Sequence, residues 1–169
     1  MIGLTDQELA RLQCSIDSWY GTPYLPGNQT KGKQGGVDCV RFIDAVLSEA
    51  LLPDQELSPL PRWGGDAAFH DPEKVKEMAA LLSRRFDMRY QKLVKYRPCM
   101  GDVIAVRMRR GSPPRCENLE ALGRHLLIVG TTPMTCYHAV PSLGVVEVGI
   151  GGLESSYLVT GVYRRVREP

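Results

Sequence analysis

The chain is poor in histidine. It has three, His70, His125 and His138, so any chemistry that needs an imidazole base has few residues to draw on. It also lacks paired cysteine motifs. Its cysteines, at 14, 39, 99, 116 and 136, are odd in number and none has C-x-x-C spacing. At this length that argues against a disulfide framework and for reduced thiols. No apolar run approaches the ~18 residues of a membrane span, so no membrane is expected as a partner. The opening MIGLTDQELARL is polar and acidic, unlike a signal peptide. The expectation is synthesis in the cytoplasm without a leader, so that action elsewhere needs another means of delivery. Repeats and low-complexity tracts are absent as well.

Charge of one sign is missing overall but not locally. The net charge is +2, which by itself implies no polyanionic partner. Between Arg84 and Arg115, however, ten Lys or Arg stand against two Asp or Glu, leaving the remainder of the chain net negative. Such a segment suits a solvated basic face, or contact with nucleic acid or an anionic cell-wall polymer. No aromatic stacking pattern accompanies it, so nucleic acid is not the expected partner.

What is present is ordinary globular material. The 169 residues, 43% apolar and 24% charged, suit one domain over 1–169 with its own core. Thr5 and Glu8 form a capping box, followed by Leu9, Leu12, Ile16 and Trp19 at helical spacing until Gly21 and Pro23. Residues 21–37 are a Gly- and Pro-rich loop. A second helix opens at Asp38, whose carboxylate suits the N-cap, and carries Val40, Ile43, Val46, Leu47 and Ala50. A third is expected from Asp71 or Pro72 to about Arg85. Short strand-like runs follow: Met88–Val94, Val103–Met108, His125–Val129, Met134–Val140, Gly144–Val148 and Tyr157–Tyr163. Between the second and third of these lies RRGSPPRCENLEALGR, read as a loop insertion. Helices first and antiparallel strands later point to an α+β fold, with N-terminal helices packed against a meandering antiparallel sheet.

Cys39 is the most informative residue. It opens a helix behind the Asp38 cap, where the helix dipole and free N–H groups favour a thiolate, the nucleophilic form. Gly32, Gly35 and Gly36 just before it permit close backbone approach and N–H donation to an oxyanion. The same position also suits an inert packed thiol. A cysteine nucleophile needs a base. His125 opens the buried run HLLIVG, where a side chain can project at the sheet's edge. His138 is expected on the next strand, beside His125, where it can accept a bond from the His125 ring and fix its tautomer. His70, in DAAFHDPEK, reads as a solvated or capping residue. Cys136 and His138, two apart on a strand, share a face and raise the alternative of a zinc site, but no partner pair has metal spacing. No metal and no other cofactor is expected.

Five segments in order, W-Y-G-T-P-Y (19–24), G-G-V-D-C-V-R-F (35–42), P-C-M-G-D-V-I-A-V (98–106), H-L-L-I-V-G (125–130) and Y-H-A-V (137–140), resemble the NlpC-type cysteine peptidases. These are papain-like hydrolases of bacterial cell-wall remodelling and phage tails. The resemblance spans roughly 19–150 and implies a papain-like fold. It implies Cys39 as nucleophile, His125 as general base and His138 as the polar residue that orients the imidazole. Tyr24 matches a tyrosine whose hydroxyl helps hold substrate or oxyanion. Asp38 and Asp102 match structural positions. The family commonly has Ser-Gly after the cysteine, where this chain has Val40 and Arg41; Arg41 then either binds an anionic substrate group or points to solvent.

The function so implied is an amidase or endopeptidase acting on peptidoglycan stem peptides through a thioester, with delivery by a phage tail-like assembly and tail proteins as partners. His125 either draws the proton from Cys39 or rests with it as a thiolate–imidazolium pair. Two other readings remain: an acyltransferase with an amine or lipid acceptor at the same site, and a non-catalytic tail or binding module.

Overall fold

Thr5 starts the first helix by satisfying two backbone donors at once. Its hydroxyl accepts the N–H of Glu8 at 3.3 Å, and the Glu8 carboxylate accepts the N–H of Thr5 at 2.8 Å. In the computed structural model, which describes residues 3–55, 58, 60, 77, 80, 83–91, 99–108, 125–132 and 134–166, this helix, α1, runs Asp6–Trp19. Two short strands, β1 (Gln29–Thr30) and β2 (Gly36–Val37), pair as a hairpin that the Gly-rich sequence did not announce. Helix α2 (Cys39–Leu51) begins directly behind its Asp38 cap. The expected third helix lies largely outside the described residues; its described positions 77, 80 and 83–85 are helical. His70 and the insertion at 109–124 also lie outside them.

Six strands form the main sheet: β3 (Met88–Gln91), β4 (Val103–Met108), β5 (His125–Val129), β6 (Thr135–Val140), β7 (Gly144–Gly149) and β8 (Tyr157–Arg165). All pairings are antiparallel, which makes the described fold α+β. The order β3-β8-β4-β5-β6-β7 corrects the expected meander. Strands β4 to β7 do meander, but β8 returns across the sheet to lie between β3 and β4. A short helix absent from the sequence reading, α3 (Ile150–Ser156), starts that return.

Alternation along the strands divides the core in two. Val103, Ala105, Leu126, Ile128, Tyr137 and Ala139 face α1 and α2, packing with Leu12, Ile16, Phe42, Ile43 and Leu47. Ile104, Val106, Leu127, Val129 and Cys136 point the other way and meet Ile150 and Leu153 of α3. Helix α2 is buried nearly all round, as befits a helix between sheet and α1. Asp102, whose match is to a structural position, holds a turn: its carboxylate accepts the Cys99 N–H at 2.8 Å and both the Nε and Nη2 of Arg164.

The segment after α1 is held by a close approach. The N–H of Val145 donates to the Thr22 carbonyl at 2.8 Å, and the Gly21 N–H to the Val145 carbonyl at 3.0 Å. Gly144 permits this: its φ is +77°, and a Cβ there would drive into the carbonyl oxygen of Thr22. Gly144 thereby holds residues 21–24 against β7, and Tyr24 in turn bridges Val37 beside the start of α2. We expect Gly144→Ala to destabilise the protein by about 1–3 kcal/mol from backbone strain alone, and by more once the clash is added. A urea midpoint equal to wild type would contradict the contact.

Candidate functional site

Asp38 organises the start of α2. One carboxylate oxygen accepts the Arg41 N–H at 2.9 Å, completing the N-cap. The other accepts the Gly27 N–H and Nη1 of Arg41, each at 2.9 Å. Asp38 is fully buried and Arg41 is 4% exposed, so the pair is an internal salt bridge. This corrects one expectation for Arg41, that it points to solvent; Nη1 of its guanidinium answers the Asp38 charge. Asp38 in turn serves the backbone and Arg41. Tyr24, half-buried, packs against the helix-side core next to this corner.

Cys39, the first residue of α2, is 4% exposed. Two influences compete on its thiol. Backbone N–H groups of Leu126, Val40 and Cys39 itself face the sulfur and favour thiolate. Burial and the neighbouring Asp38 charge oppose them and win, pushing the thiol up to about 12. The thiolate expected from the helix start is therefore not the resting form. The contact with the Leu126 N–H also shows where α2 points: at the first residues of β5.

His125 and His138 meet in a buried hydrogen bond, Nε2 to Nδ1, of 2.7 Å. They do not stand directly opposite each other as expected. Continuing the register Ile128–Tyr137 sets His138 opposite Leu127, one diagonal step from His125. Both side chains lie on the sheet face of Leu127 and Cys136, while Cys39 belongs to the core on the other face. What the thiol reaches at the N-terminal end of β5 is the backbone N–H of Leu126, the residue after His125. Among the described residues no hydrogen bond joins Cys39 to His125. Burial, and for His125 also the charge His138 would carry, holds both imidazoles below their usual range: His125 well below, His138 to about 4. At neutral pH both rings are uncharged. In the tautomer in which His125 Nε2–H donates to His138 Nδ1, Nδ1 of His125 is the nitrogen left to act as a base.

Tyr157 was missed in the sequence. Its ring stacks on His125 with centroids 6.1 Å apart, and meets His138 edge-on at 6.5 Å. Nothing in a strand's first residue marks such a role; only the return of β8 brings it here. Cys136 is buried, with its thiol also raised to about 12 by burial and by Asp102, and no hydrogen bond of its side chain is seen among the described residues. Among those residues no three His, Cys, Asp or Glu side chains converge as a metal site would, and no helix is long and apolar enough to cross a membrane.

The arrangement holds a protonated thiol faced by backbone donors, one of them from β5, and on the sheet's other face a neutral imidazole with one nitrogen engaged. A neutral base and a neutral acid suit proton transfer concerted with attack, not a standing ion pair. Compared with known proteins, the chain matches no family model and no curated sequence.

Alkylation checks these electrostatics. We expect iodoacetamide at pH 6 to modify the exposed Cys14 and Cys99 before Cys39, whose rate should climb as pH rises into the alkaline range. Asp38→Asn keeps a capping side chain but removes the negative charge that raises the thiol. It should move the Cys39 profile to lower pH, by about one pH unit. A profile unchanged by that substitution would show that the Asp38 charge does not reach the sulfur.

Proposed function

We propose that the protein is a cysteine amidase or endopeptidase of papain-like, NlpC-type design, acting on peptide amides of the peptidoglycan stem. The observation that carries this reading is the 2.7 Å bond between His125 Nε2 and His138 Nδ1; with His125 as the donor, its Nδ1 is the base, at the strand whose Leu126 N–H faces the thiol that opens α2. An inert packed cysteine has no need of two buried, mutually bonded histidines by the same strand end. Burying two imidazoles away from water is unfavourable unless they are satisfied, and here each satisfies the other.

The chemistry follows from these groups. As Sγ of Cys39 attacks the amide carbonyl carbon, its proton passes to Nδ1 of His125. The developing oxyanion is met by backbone N–H groups at the start of α2, a single such donor contributing about 3 kcal/mol. Tyr24 borders the same corner and is the side chain proposed to help hold substrate. His125, now protonated and steadied by His138, gives its proton to the departing amine as the carbon–nitrogen bond breaks. A thioester remains on Cys39. Water then attacks it, losing a proton to His125, and the acid product leaves with the thiol restored.

Acyl transfer is a second reading, and one observation favours it: Cys39, His125 and His138 are all more than 90% buried, which restricts water. An amine or lipid acceptor would then take the acyl group from the same thioester. Delivery to the cell wall by a phage tail-like assembly, with tail proteins as partners, belongs to the same proposal.

Hydrolysis of purified muropeptides by the whole protein tests the assignment. We expect Cys39→Ala to lower the rate by more than about a thousandfold, and Cys14→Ala to leave it alone. Full activity in Cys39→Ala would end the reading. Because burial depresses the imidazoles, the base stays unprotonated as pH falls below 6.5, and activity is lost only on descending through the depressed values. The acid limb of kcat/KM should accordingly lie below 6.5. Mass spectrometry of products with added amine distinguishes free acid from transferred acyl group.

A further inference from the structure

Helix α3 and the first residue of β8 close the sheet face on which the two histidines lie. Ile150 and Leu153 bury into that face, and the Ile150 N–H donates to the Met134 carbonyl at 2.8 Å, fixing the start of α3 to the β5–β6 turn. The helix ends when the Tyr157 N–H donates to the Leu153 carbonyl. Strand β8 then enters the sheet with Tyr157 opposite Met108 and Val159 opposite Val106, and Val106 in turn pairs with His125. Paired residues share a face, so Tyr157, Val106, His125 and Leu127 all point the same way. Tyr157 itself packs against the cluster on this face.

The outcome is a cluster of three rings. The imidazoles sit 5.0 Å apart and tilted by 58°, with the phenol ring stacked on one at 22° and edge-on to the other at 78°. A histidine ring turns about a broad terminal torsion, and turning His125 would break its bond to His138. A flat ring lying nearly parallel to His125, 6.1 Å away between centroids, stands beside that ring as a wall against such a turn.

We propose that Tyr157 is a positioning residue for the His125–His138 pair, holding the base in the tautomer and orientation its reaction needs; as to catalysis, this rests on the function proposed above. Tyr157 acts through the histidines and is assigned no contact with substrate. The aromatic ring is the part to which this role is assigned, and Tyr157→Phe, which keeps the ring, tests that assignment.

The test compares Tyr157→Phe with Tyr157→Leu in the full chain. In muropeptide hydrolysis we expect Tyr157→Phe to stay within about threefold of wild type. Tyr157→Leu should lose about ten- to a hundredfold in kcat with KM moving by less than about twofold. Proton NMR gives a readout that needs no turnover. The wild type and Tyr157→Phe should show a downfield, slowly exchanging proton from the His125–His138 bond, and Tyr157→Leu should lose it to solvent exchange. Wild-type NOEs between the Tyr157 and His125 rings test the contact even where Tyr157→Leu fails to fold. Absence of those NOEs overturns the proposal. So does a Tyr157→Leu protein that keeps both kcat and the protected proton. If wild type hydrolyses no muropeptide, the hydrolase reading fails, while the NMR arm still decides whether Tyr157 holds the pair.

Discussion

A fully buried carboxylate at the mouth of a helix has to be satisfied on every side, and Asp38 is satisfied by three donors from two segments. Its partners set the rest of the corner. The Gly27 N–H draws the preceding loop in, the Arg41 N–H starts α2, and the Arg41 guanidinium supplies the counter-charge. Leaving such a charge unpaired costs about 3–5 kcal/mol, enough to threaten a domain of ordinary stability. Cys39 is next in the chain, so its location is a consequence of this node. The same node acts on its chemistry, because the Asp38 charge helps keep the thiol protonated.

The second constraint is the sheet. It separates two cores, one under α1 and α2 and one under α3, and the candidate site lies where they adjoin at the N-terminal end of β5. The thiol comes from one side and the imidazoles from the other. Both sides are dry, which explains the shared electrostatic trend: desolvation is the largest influence on Cys39, His125 and His138 alike, and in each it favours the neutral form. Burial of this kind keeps the proton on sulfur and the charge off both imidazoles.

Much of the fold was legible because the signals are local. A capping box operates within four residues and strand alternation within five or six, so the start of α1, the start of α2 and the strand runs follow from neighbours in the chain. The return of β8 was not legible, since antiparallel pairing leaves the order of strands open and α3 has too short a sequence to register a period. At the site, Cys39, His125 and His138 stood out by residue type and position. Their hydrogen bond needed the register of β5 against β6, and Tyr157 needed a contact across three strands.

Arg41 divides the two kinds of information most clearly. Its place after the cysteine is a fact of sequence, and a charged side chain there suggested solvent or substrate. Burial reversed that, because a guanidinium with a carboxylate one helical turn away can be removed from water only as a pair. The sequence by itself determined which residues could cap, pair and react, since those properties belong to side chains and their near neighbours. Tertiary structure alone decided which would be protonated, which would be paired and which would touch. Those outcomes depend on desolvation and on contacts between residues far apart in the chain, and no local pattern encodes either.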